Sequence, residues 1–356
     1  MEKIKGKVIM IKNNKGGVGK TTDTGFLGET AALNNKKVLI ITTDSQNDIL
    51  NYMLSEKQPK KDNLSVSEMN NSFPGLKAEV QKRGTGDFYK LMDNLFFLPL
   101  ENNSFGSEFL KRIPFFLEEV RREYDYILID SVPVLKTDDI FSDYCDYIIV
   151  PTHATAVSIQ HVLEFAENIS EDKLIGLVIN QFNKTKTQKS YLELLESHEN
   201  INVLGVIPQL SAIERILNNR KSIWDYQNKD ILGIQTTLFN IFNVLESLEA
   251  PEIIEEKYKE KIKKYLPIEE QNIFESELSK RNDVEQSVFI RFVYNNMIRE
   301  KKLCEIEKQK INFIRNHLDE IKLKGFEEKI ENTSTKKEKS VFINLTYGRL
   351  RQRNFD

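Results

Sequence analysis

Lys15-Gly16-Gly17-Val18-Gly19-Lys20-Thr21-Thr22 follows the apolar run Lys7-Val8-Ile9-Met10-Ile11 and opens a stretch of helical spacing. This succession of strand, glycine loop and helix decides how the rest of the chain is read. Glycines let successive backbone N–H groups turn toward one anion, and the helix N-terminus adds its partial positive charge. In that setting Lys20 would meet the β- and γ-phosphates, and the Thr21 hydroxyl would help hold Mg²⁺. The loop therefore predicts a nucleoside-triphosphate site over Lys15, Gly16, Gly17, Val18, Gly19, Lys20, Thr21 and Thr22. Asn14 stands where the common form of this loop has its first glycine. The wording fits instead the variant with a second lysine, Lys15, ahead of the glycine pair.

Outward from the loop, apolar runs at 7–13, 37–43, 95–100, 124–131, 146–152, 174–181 and 201–208 read as strands. They are apolar almost throughout, as expected when helices cover both faces of a parallel sheet. Helical spacing lies between them near 20–35, 107–122, 155–169, 187–198, 211–220 and 231–248. The alternation predicts an α/β fold with a doubly wound, mostly parallel sheet. After Ala250-Pro251 the strand signal stops, and residues 251–331 read as an α-helical extension. Residues 332–356 read as a basic, mobile tail.

The chain has 356 residues, of which 40% are hydrophobic and 29% charged, enough for a buried core. Its 51 basic and 54 acidic residues give a net charge of −3, so affinity for nucleic acid would have to come from a local patch. Residues 251–356 alone carry about 23 basic and 20 acidic side chains. Cys145 and Cys304 are far apart, and the four histidines are scattered, so no disulfide framework or zinc site is legible. The run Val8 to Ile11 is too short for a signal-peptide core, and no segment approaches the roughly eighteen apolar residues of a membrane span. A cytoplasmic protein is expected.

With these residues in view, the chain resembles the ParA/MinD family of deviant Walker-type P-loop NTPases over roughly residues 5–248. Thr42-Thr43-Asp44-Ser45-Gln46 resembles the family's second-strand aspartate motif. The run 124–133 resembles the Walker B strand, ending in Asp130. Asn13-Asn14-Lys15 and Asp44-Ser45-Gln46 bring it nearest to the ParA, Soj-like branch of partition ATPases. The resemblance implies ATP and Mg²⁺ as cofactors, slow hydrolysis to ADP and phosphate, and a homodimer closed around nucleotide. Catalytic roles would fall to Lys15, reaching the partner's nucleotide, to Lys20, and to Asp44, positioning the attacking water. Thr21 and Asp130 would serve the metal, and Asn180 and Pro208 the base. Each has a plain reading as well. Lys15 could be a solvated loop lysine, Asp44 a helix cap, and Asn180 a satisfier of loop backbone.

Further implications concern partners. Non-specific DNA would meet Lys184, Lys186 and Lys189 at one strand-helix junction, and Arg215, Arg220 and Lys221 on or after the next helix. Backbone phosphates ask only for positive charge and donors, and the same residues could equally form a solvated face. A ParB-like centromere-binding partner and a nucleoid-associated, bacterial cytoplasmic location follow for plasmid or chromosome segregation. Competing readings are a MinD-like membrane-positioning ATPase and a weakly hydrolysing, nucleotide-gated scaffold. A membrane helix at the end is not expected, because Val341-Phe342-Ile343-Asn344-Leu345 is β-branched and Gly348 follows, a poor helix. Several positions depart from the family. Thr42 replaces its first aspartate, Ser45 and Val132 replace prolines, and Asp23 stands where threonine is usual.

Overall fold

Among the described residues there are eight strands, and seven of them are the apolar runs just described. The computed structural model describes residues 5–53, 75–82, 89–102, 104–132, 136–166, 169–170, 172–318, 320–333 and 335–353. The strands are β1 (Lys7–Ile11), β2 (Val38–Thr42), β3 (Tyr89–Met92), β4 (Leu95–Leu98), β5 (Tyr126–Asp130), β6 (Tyr147–His153), β7 (Leu174–Phe182) and β8 (Val203–Pro208). They form one sheet in the order β3-β4-β2-β5-β1-β6-β7-β8. Every neighbouring pair is parallel except β3 with β4. β3 was not legible as a strand: its four residues join β4 through Asp93-Asn94, with Asn94 at φ 64°, and only edge pairing makes it a strand.

The helices flanking the sheet are α1 (Lys20–Leu33), α2 (Asp48–Met53), α3 (Leu76–Lys82), α4 (Ser107–Val120), α5 (Lys136–Tyr144), α6 (Ala156–Ala166), α7 (Lys186–Glu196), α8 (Ser211–Asn218) and α9 (Lys229–Ser247). Alternation along each strand sets the two faces. Val8 and Met10 of β1 join a core with Ile113, Phe116 and Leu117 of α4 and Phe141 of α5. α1 and α9 pack together on the other side. α1 stops where Asn35 turns left-handed at φ 60°, a conformation asparagine tolerates. α9 starts where Asn228 Oδ1 accepts from the Ile231 amide at 3.0 Å.

Three more helices follow: α10 (Pro251–Tyr265), α11 (Ile268–Ser279) and α12 (Asp283–His317). Proline at the first position of α10 costs no hydrogen bond there. α12 opens with a reciprocal capping box, Asn282 N to Glu285 Oε2 at 3.1 Å and Glu285 N to Asn282 Oδ1 at 3.0 Å. The chain divides into two compact units, Met1–Arg291 and Phe292–Asp356. The composition break at 250/251 does not coincide with that division, and a charged cluster shows why. Asp146, just before β6, accepts from Arg121 Nη1 and from Arg291 Nη2, both at 2.7 Å. Glu118 of α4, Glu255 of α10 and Lys5 complete it, with Lys5 3.2 Å from Glu255 and Arg291 3.3 Å from Glu255. Arg121 and Arg291 are both 0% exposed. Residues 251–291 are thus tied by buried charge to the end of the sheet opposite the phosphate loop.

The second unit holds the rest of α12 with α13 (Glu320–Glu331) and α14 (Lys336–Arg353). Ile314, Phe326 and Ile343 form its small core, with Phe342, Tyr347 and Leu350 packed against it. The stretch expected to be a mobile tail is therefore helical over Lys336–Arg353, and the run expected to make a poor helix lies inside it. Tertiary packing of the residues around Ile343 overrides a weak local propensity.

Candidate functional site

Parallel register brings the chemistry to one edge. Ile11 and Thr42 both pair with Asp130, so β1, β5 and β2 end level at their C-terminal ends. β1 runs on into the phosphate loop and β2 into Asp44, which surrounds Asp130 with both. Ligands bind outside the carboxyl ends of strands in open α/β sheets, and these residues gather at that edge.

The loop is preformed. Gly17 and Gly19 take φ 70° and 98°, conformations that favour glycine. Space opens beside Gly16 and Gly17, where an added Cβ would meet nothing within 4 Å. The loop is anchored from below: Asn13 Nδ2 donates to the Pro151 carbonyl at 2.7 Å, and the Lys15 amide donates to Asn13 Oδ1 at 2.8 Å. Lys20 Nζ donates to the Lys15 carbonyl at 2.9 Å, spanning the loop. Burial lowers the Lys20 pKa, partly offset by Asp130, Asp138 and Asp44. Lys15 Nζ donates to Ser158 Oγ at 3.0 Å, at the start of α6. Lys15 is thus neither freely solvated nor held at its own loop.

Thr21 Oγ1 donates to Asp130 Oδ1 at 3.3 Å. Burial pushes Asp130 up to about 7, a rise restrained by that hydrogen bond and by Lys20. A divalent cation would relieve it. Among the described residues no group of three or more His, Cys, Asp or Glu side chains could hold a metal. Thr21 with Asp130 fits the sparse protein share of a Mg²⁺ site, where phosphates and waters supply the remaining ligands. Asp138 was not singled out from the sequence. It accepts from Thr43 Oγ1 at 2.9 Å, and burial raises it to about 6. Thr43 Oγ1 in turn accepts from the Val132 amide at 3.0 Å, which ties the turns after β2 and β5 together.

Asp44 lies at the same edge, but its Oδ1 accepts from the Gln46 amide at 2.9 Å, closing a side-chain turn ahead of α2 rather than capping a helix. Thr42, in place of the family's first aspartate, accepts from the Asp44 amide at 3.0 Å and holds that turn. Beside the loop, Asn180, Pro208, Gly19, Thr22, Asp23 and Ile213 line a cleft of about 150 Å³. Asn180 and Pro208 therefore line the same cleft. Asn180 Nδ2 is already engaged, donating to the Val18 carbonyl at 2.8 Å and to Asp23 Oδ2 at 2.7 Å. Asp23 is fully buried, and burial raises its pKa well above the carboxylate range.

The six basic residues are all exposed. Lys184, Lys186 and Lys189 follow β7, and Arg215, Arg220 and Lys221 lie on or after α8, which follows β8. β7 and β8 are neighbours, with Phe182 opposite Pro208, and Asn183 Nδ2 reaches Gln209 Oε1 at 2.6 Å. Both groups consequently start from the phosphate-loop edge. Arg220 Nε donates to the Asn51 carbonyl at 3.2 Å, and Ser222 Oγ donates to the buried Glu29 of α1 at 3.1 Å.

A glycine loop between strand and helix, a lysine spanning it and a threonine facing a strand-end aspartate define a P-loop nucleotide-binding protein. A family model described as an AAA domain matches residues 6–184. An uncharacterized protein of Methanocaldococcus jannaschii is 30% identical over 243 residues, 62% of this chain and 91% of that one. Septum site-determining protein MinD of Buchnera aphidicola subsp. Schizaphis graminum is 25% identical over 245 residues, 63% of this chain and 86% of that one. A crystal structure of a putative plasmid partition protein from Borrelia burgdorferi, bound to AMPPNP, superposes with a TM-score of 0.55 and 25% identity. It covers 68% of this chain and 100% of that one. The chain belongs to the ParA/MinD family of P-loop ATPases.

Proposed function

We propose that this protein is a ParA-type partition ATPase that binds ATP and Mg²⁺, closes into a homodimer, holds DNA without sequence preference and lets go after hydrolysis. The observation that carries the reading is a coincidence of place. The two-lysine phosphate loop and the exposed basic residues after β7 and β8 start from one edge of one sheet. α1 links them physically. Its N-terminus carries Lys20 and Thr21, and its Glu29 holds Ser222, next to Arg220 and Lys221. A change in α1 on nucleotide binding therefore has a path to the basic segment.

In this reading Lys15 leaves Ser158 to reach the partner's nucleotide. The backbone amides and Lys20 neutralise phosphate charge, which is most of what phosphoryl transfer asks of a protein. Thr21 and Asp130 would hold Mg²⁺, which supplies charge neutralisation between the phosphates. Asp44 must exchange its bond to the Gln46 amide for a water, so turnover is slow until a ParB-like centromere-binding partner promotes it. The cargo is plasmid or chromosomal DNA, and the location is the nucleoid of a bacterial cytoplasm.

The similarity to MinD favours a second reading, a membrane-positioning ATPase. Among the described residues no single helix is long and apolar enough to cross a membrane. The bent pair α9 and α10 has the length and composition, but Ile231, Ile234, Leu238 and Ile241 of α9 are core residues with 0% exposure. In α14 Ile343 is 0% exposed within the core of its own helical unit, and the apolar side chains that reach the surface are Val341 and Leu345, at 51% and 56% exposure. Light scattering on a gel-filtration column tests the partition reading: MgATP should double the mass of the wild type and leave Lys15→Ala a monomer. A wild type that stays monomeric with saturating MgATP would contradict it.

A further inference from the structure

The side-chain amide of Asn180 offers two N–H donors and one carbonyl acceptor. Both donors are spent within the protein, on the Val18 carbonyl at 2.8 Å and on Asp23 Oδ2 at 2.7 Å. A backbone carbonyl can only accept, so the Val18 contact fixes which end of the amide faces the loop. The amide packs directly against the loop, its Nδ2 in the space a Cβ on Gly19 would need. Asp23, 1% exposed, accepts through Oδ2 whether or not its other oxygen carries a proton. What Asn180 has left for an occupant of the cleft is its Oδ1.

We propose that Asp23 is a specificity-determining residue of the base site, completing with the Val18 carbonyl the hold on the Asn180 amide. By holding Asn180 Nδ2 it leaves an edge that only accepts, which selects a purine with a 6-amino group over one with a 6-oxo group. The proposal rests on the reading of the cleft beside Pro208 as the base pocket of an ATP site. A 6-oxo base would set two acceptors against each other, or would cost the amide its bonds to Val18 and Asp23. An unmatched polar pair in a buried site corresponds to a discrimination of about ten- to a hundredfold. Asp23 acts through Asn180 and is a positioning residue. Its departure from the family's threonine then has a physical consequence at the base rather than at the phosphates.

Calorimetric titration of the full chain with MgATP, MgITP and MgGTP tests this, using wild type, Asp23→Asn and Asp23→Ala. The wild type should favour ATP over ITP by about ten- to a hundredfold. Asp23→Asn retains a carbonyl acceptor and should keep that ratio, whereas Asp23→Ala should bind both nucleotides with a ratio reduced to about threefold or less. Equal wild-type affinities for ATP and ITP would overturn the proposal while leaving the nucleotide site standing. So would an unchanged ratio in Asp23→Ala. If the wild type binds none of the three nucleotides, the ATP reading itself fails and takes the proposal with it. Equal wild-type affinities overturn the proposal even where a variant does not fold.

Discussion

Replacing Arg291 by methionine should destabilise the Met1–Arg291 unit far more than a surface ion pair could. Arg291 is 0% exposed and lies 2.7 Å from Asp146, 3.3 Å from Glu255 and 3.5 Å from Glu118. Three carboxylates there face three cations, with Arg121 and Lys5 the others. Methionine conserves much of the volume but leaves one buried carboxylate without a counter-charge. Breaking a buried pair in this way costs about 3–5 kcal/mol, a third or more of a stability on the order of 10 kcal/mol. With a urea m-value of about 3 kcal/mol/M, the midpoint should fall by roughly 1–2 M.

The pH dependence should change as well. The arginines hold Asp146 and Glu255 below their ordinary values against the opposing effect of burial. In the wild type their contribution is present above the unfolded carboxylate range and is lost as pH falls through the depressed native values. In Arg291→Met one carboxylate can take a proton instead, so the gap between variant and wild type should narrow from pH 7 to pH 5. Urea melts followed by circular dichroism at both pH values provide the measurement. Lys257→Met, which breaks the exposed pair with Glu249, serves as control and should cost about 1 kcal/mol or less. If Arg291→Met shifts the midpoint no more than this control, the cluster does not hold residues 251–291 to the sheet.

Other outcomes bear on the nucleotide site. Lys20→Ala should weaken MgATP binding at least tenfold by calorimetry, and retained affinity would remove the phosphate-loop assignment. Asp44→Ala should still form ATP-dependent dimers but release phosphate at least tenfold more slowly, and unchanged turnover would place the attacking water elsewhere. Burial holds the native Asp130 at about 7, above its unfolded value near 3.8. That carboxyl therefore costs the nucleotide-free protein stability as pH rises from 4 to 7. Asp130→Asn should accordingly melt at a higher temperature than wild type at pH 8 while losing its response to Mg²⁺. A variant that melts lower at pH 8 would contradict the burial argument.

The doubly wound sheet was legible because seven strands are short apolar runs bounded by turns, and the loop at 15–22 fixed which end of the sheet mattered. β3 escaped because its mixed residues pair only at an edge. The same limit applied to the second unit, where Ile343 belongs to a helix for reasons of packing against Ile314 and Phe326 rather than of local preference. The charge cluster was illegible for a related reason. Lys5, Glu118, Asp146, Glu255 and Arg291 are unremarkable charged residues in sequence and meet only when the chain is folded. At the site, Lys20, Thr21, Asp130, Asn180 and Pro208 lie at one edge of the sheet. Asp138 and Ser158 lay outside any motif. The Thr43 hydroxyl that holds Asp138 and the Lys15 ammonium that finds Ser158 belong to residues the sequence had already brought into view.

The central claim is that nucleotide controls a DNA-holding surface built on Arg215, Arg220 and Lys221. Its most direct test is co-sedimentation with random-sequence DNA and, separately, with anionic liposomes, each with MgATP, MgADP or no nucleotide. Wild type should be retained on DNA only with MgATP, with retention falling steeply as salt rises. The triple replacement of Arg215, Arg220 and Lys221 by glutamate should dimerise yet stay in the supernatant. Retention on liposomes with MgATP and none on DNA would contradict the partition reading and select membrane positioning.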